Sequence, residues 1–375
     1  FQDYFVSPIH YFRNKFEEME NRSYFLLGNL ANYFLDKLVF ANDPNEVSFN
    51  TVFQQSFKQS PFEYASCEDI RRDNDFREFM QKARRQFENI RRVIRDDFPR
   101  RGIDVHRCTL EPSFFSEKYG FQGRLDLLQP GLKGEKDVTG EKDFTGEPVS
   151  TGEKVAAEGK AIPSEKTTIV ELKSGRLPFP SYDRRKLALN HEVQTAVYRL
   201  MMKSVGGNAN GVDASILYSA GNRPGENLRV ATEREQLEQL ILNLRNQIVT
   251  NEKELINGDN RAVESLFNTL FASIDGASRP PAFYINKVKA IKRRLDDCSE
   301  LEKEYFYRYT RFVSRELYHQ KIGDIDRETP TGVASLWNSD FEERVDALDV
   351  LFDLSIVAMD DSGNDMVIQF APSSA

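Results

Sequence analysis

Three short groups of polar residues stand out from the 375-residue chain because their types and order suit phosphoryl chemistry. Asp126 closes the run Gly123-Arg124-Leu125-Asp126, Glu171 and Lys173 flank Leu172 in Ile169-Val170-Glu171-Leu172-Lys173, and Gln194 and Tyr198 follow at a spacing of one helical turn. Two carboxylates can hold Mg²⁺ or Mn²⁺, cations that favour oxygen ligands and keep waters for a substrate phosphate and a nucleophile. A metal held in this way lowers the pKa of its water and neutralises charge building on the phosphate. A lysine beside it can orient the attacking water or compensate the pentavalent phosphate. Acid, acid-x-lysine, then glutamine-x-x-x-tyrosine is therefore an order suited to metal-dependent phosphodiester hydrolysis.

Local structure has to bring these groups together. Thr167 to Leu172 is a β-branched run with its charged residues at the C-terminal end, where a strand delivers groups to a site rather than to a core. Side chains alternate across a strand, so Glu171 and Lys173 project from one face and Leu172 from the other. A helix predicted for about residues 183 to 205 puts Gln194 and Tyr198 on one face, with Val193, Val197 and Leu200 packing inward. Further strands are predicted near 103 to 111, 121 to 128 and 214 to 219, and helices over 3 to 98, 233 to 256 and much of 260 to 320. Tyr24, Phe25, Leu30, Phe34 and Leu38 read as a core stripe, as do Leu301, Tyr305, Tyr309, Phe312 and Val313 on the helix from 300 to 319. Residues 331 to 370 read as β-rich.

The formal net charge of -8 argues against a surface that grips duplex DNA everywhere, since phosphate contacts need clustered lysine and arginine. Local basic groups remain. Arg176, Arg184, Arg185 and Lys186 lie between the Glu-x-Lys strand and the Gln-x-x-x-Tyr helix and are the candidate DNA-binding set. Arg84, Arg85, Arg91, Arg92 and Arg95 alternate with acids along a helix and read as a solvated face. Residues 130 to 166 repeat Gly-Glu-Lys, carry few large apolar side chains and read as a flexible insertion. Cys67, Cys108 and Cys298 are isolated, without the spacing of a cluster site, so no iron-sulfur cluster is expected and a reducing compartment is. Of the scattered histidines His10, His106, His191 and His319, only His191 falls near the proposed site, and it is not read as a ligand. No run is apolar enough to span a membrane and no signal peptide is evident, which reads as a soluble cytoplasmic chain. No Gly-x-x-x-x-Gly-Lys-Ser/Thr loop occurs, so this stretch by itself is not expected to hydrolyse ATP.

The order Gly-x-x-Asp, Glu-x-Lys, Gln-x-x-x-Tyr resembles the RecB-like branch of the PD-(D/E)XK phosphodiesterase superfamily, across about residues 22 to 205. That branch opens with a helix carrying Gly-x-x-x-His, and Leu26-Leu27-Gly28-Asn29-Leu30-Ala31-Asn32-Tyr33-Phe34 stands where it belongs, with Asn32 in place of histidine. The resemblance implies an α/β fold with a restriction-endonuclease-like mixed sheet flanked by helices. It implies a site for Mg²⁺ or Mn²⁺ made by Asp126, Glu171, the Leu172 carbonyl and Asn32, with Lys173 assisting the water and Gln194 and Tyr198 holding DNA or the lysine. Within the branch the chain is similar to the nuclease part of flap-processing nuclease-helicases, in Tyr119 to Asp126, in Leu301 to Phe306 and in the stretch Lys321 to Trp337. That likeness implies a nuclease domain over 1–280, a helical connector over 281–320 and a small β-rich module over 321–375, with a helicase motor beyond Ala375 or in a partner. An initial Phe1 and a soft terminal run from Ala371 to Ala375 fit an excised fragment. The implied substrate is single-stranded or flap DNA. The alternative is a decayed nuclease fold kept as a DNA-binding scaffold for a helicase, a reading that Asn32 favours.

Overall fold

A computed structural model describes residues 22–131, 166–205, 211–274, 282–323, 339–348, 350–360 and 367–372. The chain divides into two compact units, Phe1–Gln247 and Ile248–Ala375, with the division inside the helix Glu235–Asn257. The expected helices before residue 22 and most of the Gly-Glu-Lys insertion lie outside the described residues.

The first unit begins with helices α1 (Ser23–Val39), α2 (Phe49–Gln59), α3 (Pro61–Ser66) and α4 (Asp73–Arg92). Their apolar residues recur at three- and four-residue spacing and are buried: Leu26, Leu30, Phe34 and Leu38 on α1, and Phe79, Ala83, Phe87 and Ile90 on α4. The Phe34 ring packs edge-on to Phe87 at 5.2 Å and to Phe49 at 5.9 Å. α4 runs on through a π-helical turn, Val93–Asp97, into a last turn ending at Arg100.

The strands are β1 (Thr109–Leu110), β2 (Ser113–Ser116), β3 (Phe121–Arg124), β4 (Leu127–Gln129), β5 (Thr167–Lys173), β6 (Val212–Tyr218) and β7 (Leu228–Ala231). Five of them form a mixed sheet in the order β1-β4-β5-β6-β7, with β5 central and only the β5–β6 pair parallel, while β2 and β3 make a separate hairpin. Helix α5 (Leu189–Val205) and the start of α6 (Glu235–Asn257) pack on one face of the sheet, where Ile169, Val193, Met201, Ile241 and Ala214 are buried together. The opposite face belongs to α1, α2 and α4, which bury Val170, Leu172, Leu127 and Leu217. β5 is thus covered on both sides, and its alternation sends Ile169 to the α5 side and Val170 and Leu172 to the α1 side.

Several sequence expectations shift. The strand expected over 103 to 111 shrinks to β1, because Asp104 accepts the His106 amide in a tight turn at 105–107 and donates its own amide to the buried Gln129 at 2.6 Å. The strand expected over 121 to 128 is two strands in two sheets, broken at Leu125 and Asp126. Helix α5 starts at Leu189 rather than 183, since Pro178, Pro180 and a turn at Asp183 precede it. β2 and β7 were not anticipated.

In the second unit, α7 (Asn260–Ser273), α8 (Ala282–Asp297) and α9 (Glu300–Ile322) are followed by α10 (Phe341–Asp346) and a hairpin of β8 (Leu354–Asp360) and β9 (Val367–Pro372). A capping box of Ser299 and Glu302 starts α9, and Phe306 meets Phe267 of α7 at 5.4 Å. The stripe Leu301, Tyr305, Tyr309 and Phe312 is exposed and not a core. Helical spacing reads the same whether a stripe meets another element or itself, and here Tyr305 stacks on Tyr309 with the rings 6.1 Å apart and inclined by 11°. Among the described residues no helix is long and apolar enough to cross a membrane.

The chain leaves the sheet at Gly131 and is back in it by Thr167, and these ends adjoin: Gln129 faces Thr168 across the β4–β5 ladder and the Gly131 amide donates to the Thr167 hydroxyl at 3.2 Å. The closure entropy of a loop between such ends changes slowly with its length, about 0.6 kcal/mol per doubling. Replacing residues 132–165 by a short Gly/Ser turn is expected to leave the melting temperature within a few degrees of the parent, as read by calorimetry. A collapse of the transition would show that the segment supplies contacts of its own.

Candidate active site

The five candidate catalytic side chains meet on the α5 side of the sheet. Glu171 lies in the middle of the fold on β5 and is buried, with Lys173 two residues on and on the same face. The Lys173 ammonium donates to Glu171 Oε1 at 2.6 Å, and Gln194 Nε2 donates to the same oxygen at 2.6 Å. Gln194 Nε2 also donates to the Tyr198 hydroxyl at 2.8 Å, and that hydroxyl donates to the Arg124 carbonyl at 2.8 Å. Gly123 makes this approach possible, since a Cβ there would stand 2.9 Å from Tyr198 Cε1. The i, i+4 pair on α5 therefore holds Glu171 and the backbone just before Asp126.

Asp126 sits at the break between β3 and β4. Its carbonyl accepts the Glu111 amide at 3.1 Å, the preceding Leu125 amide donates to the Pro112 carbonyl at 3.0 Å, and its Oδ2 accepts the Leu172 amide at 2.6 Å. The amide and carbonyl of one strand residue point to the same side, so the Leu172 carbonyl faces the Asp126 side of β5. Burial lifts the Asp126 carboxyl above its usual range, against the pull of the Leu172 amide and Lys173. Burial raises Glu171 as well, and the nearby Asp126 charge raises it further while Lys173 opposes.

Asp36 is the residue that sequence reasoning missed. It lies one turn beyond Asn32 on α1, and its carboxyl is pushed up to about 6 by burial first and then by the charges of Glu111 and Asp126. Asn32 lines a cleft of about 280 Å³ together with Asp36, Glu111 and Arg124. Glu111 holds a left-handed φ of 49°, uncommon for a non-glycine residue, and pairs with Arg124 at 3.2 Å. On α1, Asn32 and Asp36 thus both line the cleft, and Asp36 adds a carboxyl whose charge reaches Asp126. Only its distance along a helix from Gly28 could have flagged it, and one sequence gives no reason to prefer i+8 over i+4.

His191 is close by but held neutral. Its Nδ1 lies 3.0 Å from the Tyr218 hydroxyl, and burial, then the Lys173 charge, lower its pKa to about 4. Arg176, Arg184, Arg185 and Lys186 are all exposed on the loop between β5 and α5. The three cysteines are free thiols, and burial pushes Cys108 up to about 12.

The donor set fits a divalent cation in one respect and lacks another. Glu171 Oε2 is buried and receives no donor, and the Glu171 and Asp126 carboxyls lie within hydrogen-bonding reach of each other, so the pair offers a cation two adjacent acids. Among the described residues no group of three or more His, Cys, Asp or Glu side chains is arranged to hold a metal. Asp126 and Glu171 would hold it, with the Leu172 carbonyl and water completing the oxygen shell. Comparison with protein-family models, curated proteins and solved structures finds no match to this chain.

Asp36 gives a pH signature. Its folded pKa of about 6 lies above the ordinary aspartate value of 3.8, so ionisation costs the folded state stability as pH rises from about 4 to 6. In chelator, Asp36→Asn is expected to melt with the parent near pH 4 and to be more stable at pH 7, by about 1 kcal/mol once solvent screening of a half-buried group is allowed for. Parallel melting curves for the two proteins at both pH values would remove Asp36 from the acidic group.

Proposed function

We propose that this chain is a metal-dependent DNA nuclease of the RecB-like PD-(D/E)XK type, on a restriction-endonuclease-like core, cutting single-stranded or flap DNA. The observation that carries the reading is convergence. Asp126 from the sheet break, Glu171 and Lys173 from the central strand, and Gln194 and Tyr198 from α5 form one connected hydrogen-bonded set around a buried carboxylate with an unpartnered oxygen.

Mg²⁺ or Mn²⁺, when bound, would supply the activated water and the charge that the phosphate needs. The chain's own residues do the rest. Asp126 and Glu171 bind the cation, and the Leu172 amide fixes the Asp126 carboxylate. Gln194 fixes the Glu171 carboxylate, and Tyr198 ties Gln194 to the backbone ahead of Asp126. Lys173 keeps its ammonium at the same carboxylate, where it can hold the attacking water or take up charge on the phosphate. A helicase motor, in a longer chain or in a partner, belongs to this reading as the source of the single strand.

The second reading, a DNA-binding scaffold with a decayed site, draws on Asn32 and on the missing third protein ligand among the described residues. One assay separates the two. With labelled single-stranded, flap and duplex DNA and either metal, the parent is expected to cut the first two. Asp126→Ala, Glu171→Ala and Lys173→Ala should each lose at least about 100-fold in rate and keep the fold. Glu171→Gln should also raise the melting temperature in chelator, since burial and Asp126 disfavour ionisation of the Glu171 carboxyl and an amide has no such cost, and should abolish the stabilisation that Mn²⁺ gives the parent. DNA binding without any cutting, with no effect of Mn²⁺ on melting, would favour the scaffold.

A further inference from the structure

The loop between β5 and α5 carries more than basic residues. It exposes Phe179 and Tyr182 at 88% and 74% of their surface, in a fold whose other large side chains on this stretch are at least half covered or charged. The loop is nevertheless built. The buried Arg229 of β7 donates to its Ser181 and Lys186 carbonyls at 2.8 and 2.5 Å, and turns at Pro180 and Asp183 close it. Two large rings are thus held in water by a scaffold that spends a buried guanidinium on their backbone.

Beside this loop lies a cleft of about 830 Å³ that joins two arginine groups far apart in sequence: Arg100 and Arg101 after α4, and Arg184 and Arg185 from the loop itself. All four are exposed. Gly225, with φ of 77°, gives Arg184 its place, since a Cβ there would stand 3.0 Å from the guanidinium. Two acids share the cleft, Asp96 paired with Arg95 at 2.7 Å and Asp97 at 3.8 Å from Arg100 with its Oδ2 buried and unpartnered, and the arginines of the lining outnumber them. Arg92, also on the wall, is bonded to Asn227 and is structural. A net positive cleft on a chain of net charge -8 selects an anion, and several separated guanidiniums suit a repeating one.

We propose that this loop and cleft form a binding track for an unpaired nucleic-acid strand, with bases stacked on Phe179 and Tyr182 and phosphates on Arg100, Arg101, Arg184 and Arg185. Base faces are available for stacking only where the strand is single, so the aromatics supply the preference for unpaired over paired substrate and the arginines supply affinity without sequence choice. The track rests on the nuclease reading for its being the substrate's path, but its existence does not require cleavage.

Binding is therefore measured in chelator on the whole chain, by fluorescence anisotropy, with a labelled oligo-thymidine, an abasic strand of equal length and a duplex. The parent is expected to prefer the oligo-thymidine to the other two. Phe179→Ala with Tyr182→Ala should weaken the oligo-thymidine by about tenfold or more and leave the abasic strand unchanged, and Phe179→Trp should retain binding. Arg100→Ala with Arg101→Ala should weaken both strands and flatten the slope of log affinity against log salt by about 0.7 per lost phosphate contact. Unchanged oligo-thymidine binding in the aromatic variant, or an unchanged salt slope in the arginine variant at parent melting temperature, would overturn the track. Parent binding as described with no cutting in Mn²⁺ would instead remove the nuclease reading and leave the track standing.

Discussion

Placing a carboxylate in the central strand of a sheet covered on both faces costs several kcal/mol unless the charge is met. Glu171 is that carboxylate, and much of the first unit can be understood as its housing. One of its oxygens takes two donors, the Lys173 ammonium and the Gln194 amide, and the other takes none. The lysine comes free with the strand's alternation, but the glutamine must be delivered by a helix in a fixed register, and Tyr198 supplies that register by reaching past Gln194 to the Arg124 carbonyl. Charge is met on one side of the carboxylate and left open on the other. An arrangement optimised for stability alone would close both.

Two other buried charges show how the sheet keeps its shape around this opening. Arg199 of α5 donates to the Val212 and Ala231 carbonyls, at the start of β6 and the end of β7. Arg229 of β7 lies under the Tyr218 ring and holds the loop after β5. Arg199 satisfies carbonyls at strand ends and Arg229 satisfies loop carbonyls, and each fixes an element carrying site residues: α5 in one case and the basic loop in the other. Neither needs a carboxylate partner, because a guanidinium offers several donors in a planar fork.

What could be read from the sequence was what depends on local period. The face shared by Glu171 and Lys173 follows from alternation in a β-branched run, and that of Gln194 and Tyr198 from helical spacing, and in the structure each pair shares the face so assigned. Asp36 could not be read, because its closeness to Asp126 arises from how α1 crosses the sheet, a tertiary fact with no signature along the chain. β7 escaped because an arginine at its centre, in Leu228-Arg229-Val230-Ala231, looks solvent-facing until the carbonyls it serves are known. The exposed stripe on α9 escaped for the opposite reason, since its spacing suits a core that the described chain does not place over it.

Asp126 belongs to neither of the two ladders it joins. β3 is registered against β2, with Gly123 opposite Phe114, and β4 is registered against β5, with Leu127 opposite Val170. Only Leu125 and Asp126 separate the registers, and both are tied down by backbone hydrogen bonds. A residue inserted or lost there would turn one ladder over, face for face, because a strand tolerates no odd slip. The two connections around β4 therefore answer to different constraints: the one after it starts and ends at adjoining backbone, so its length sets no register, while the two-residue splice before it sets the register of both ladders by its length.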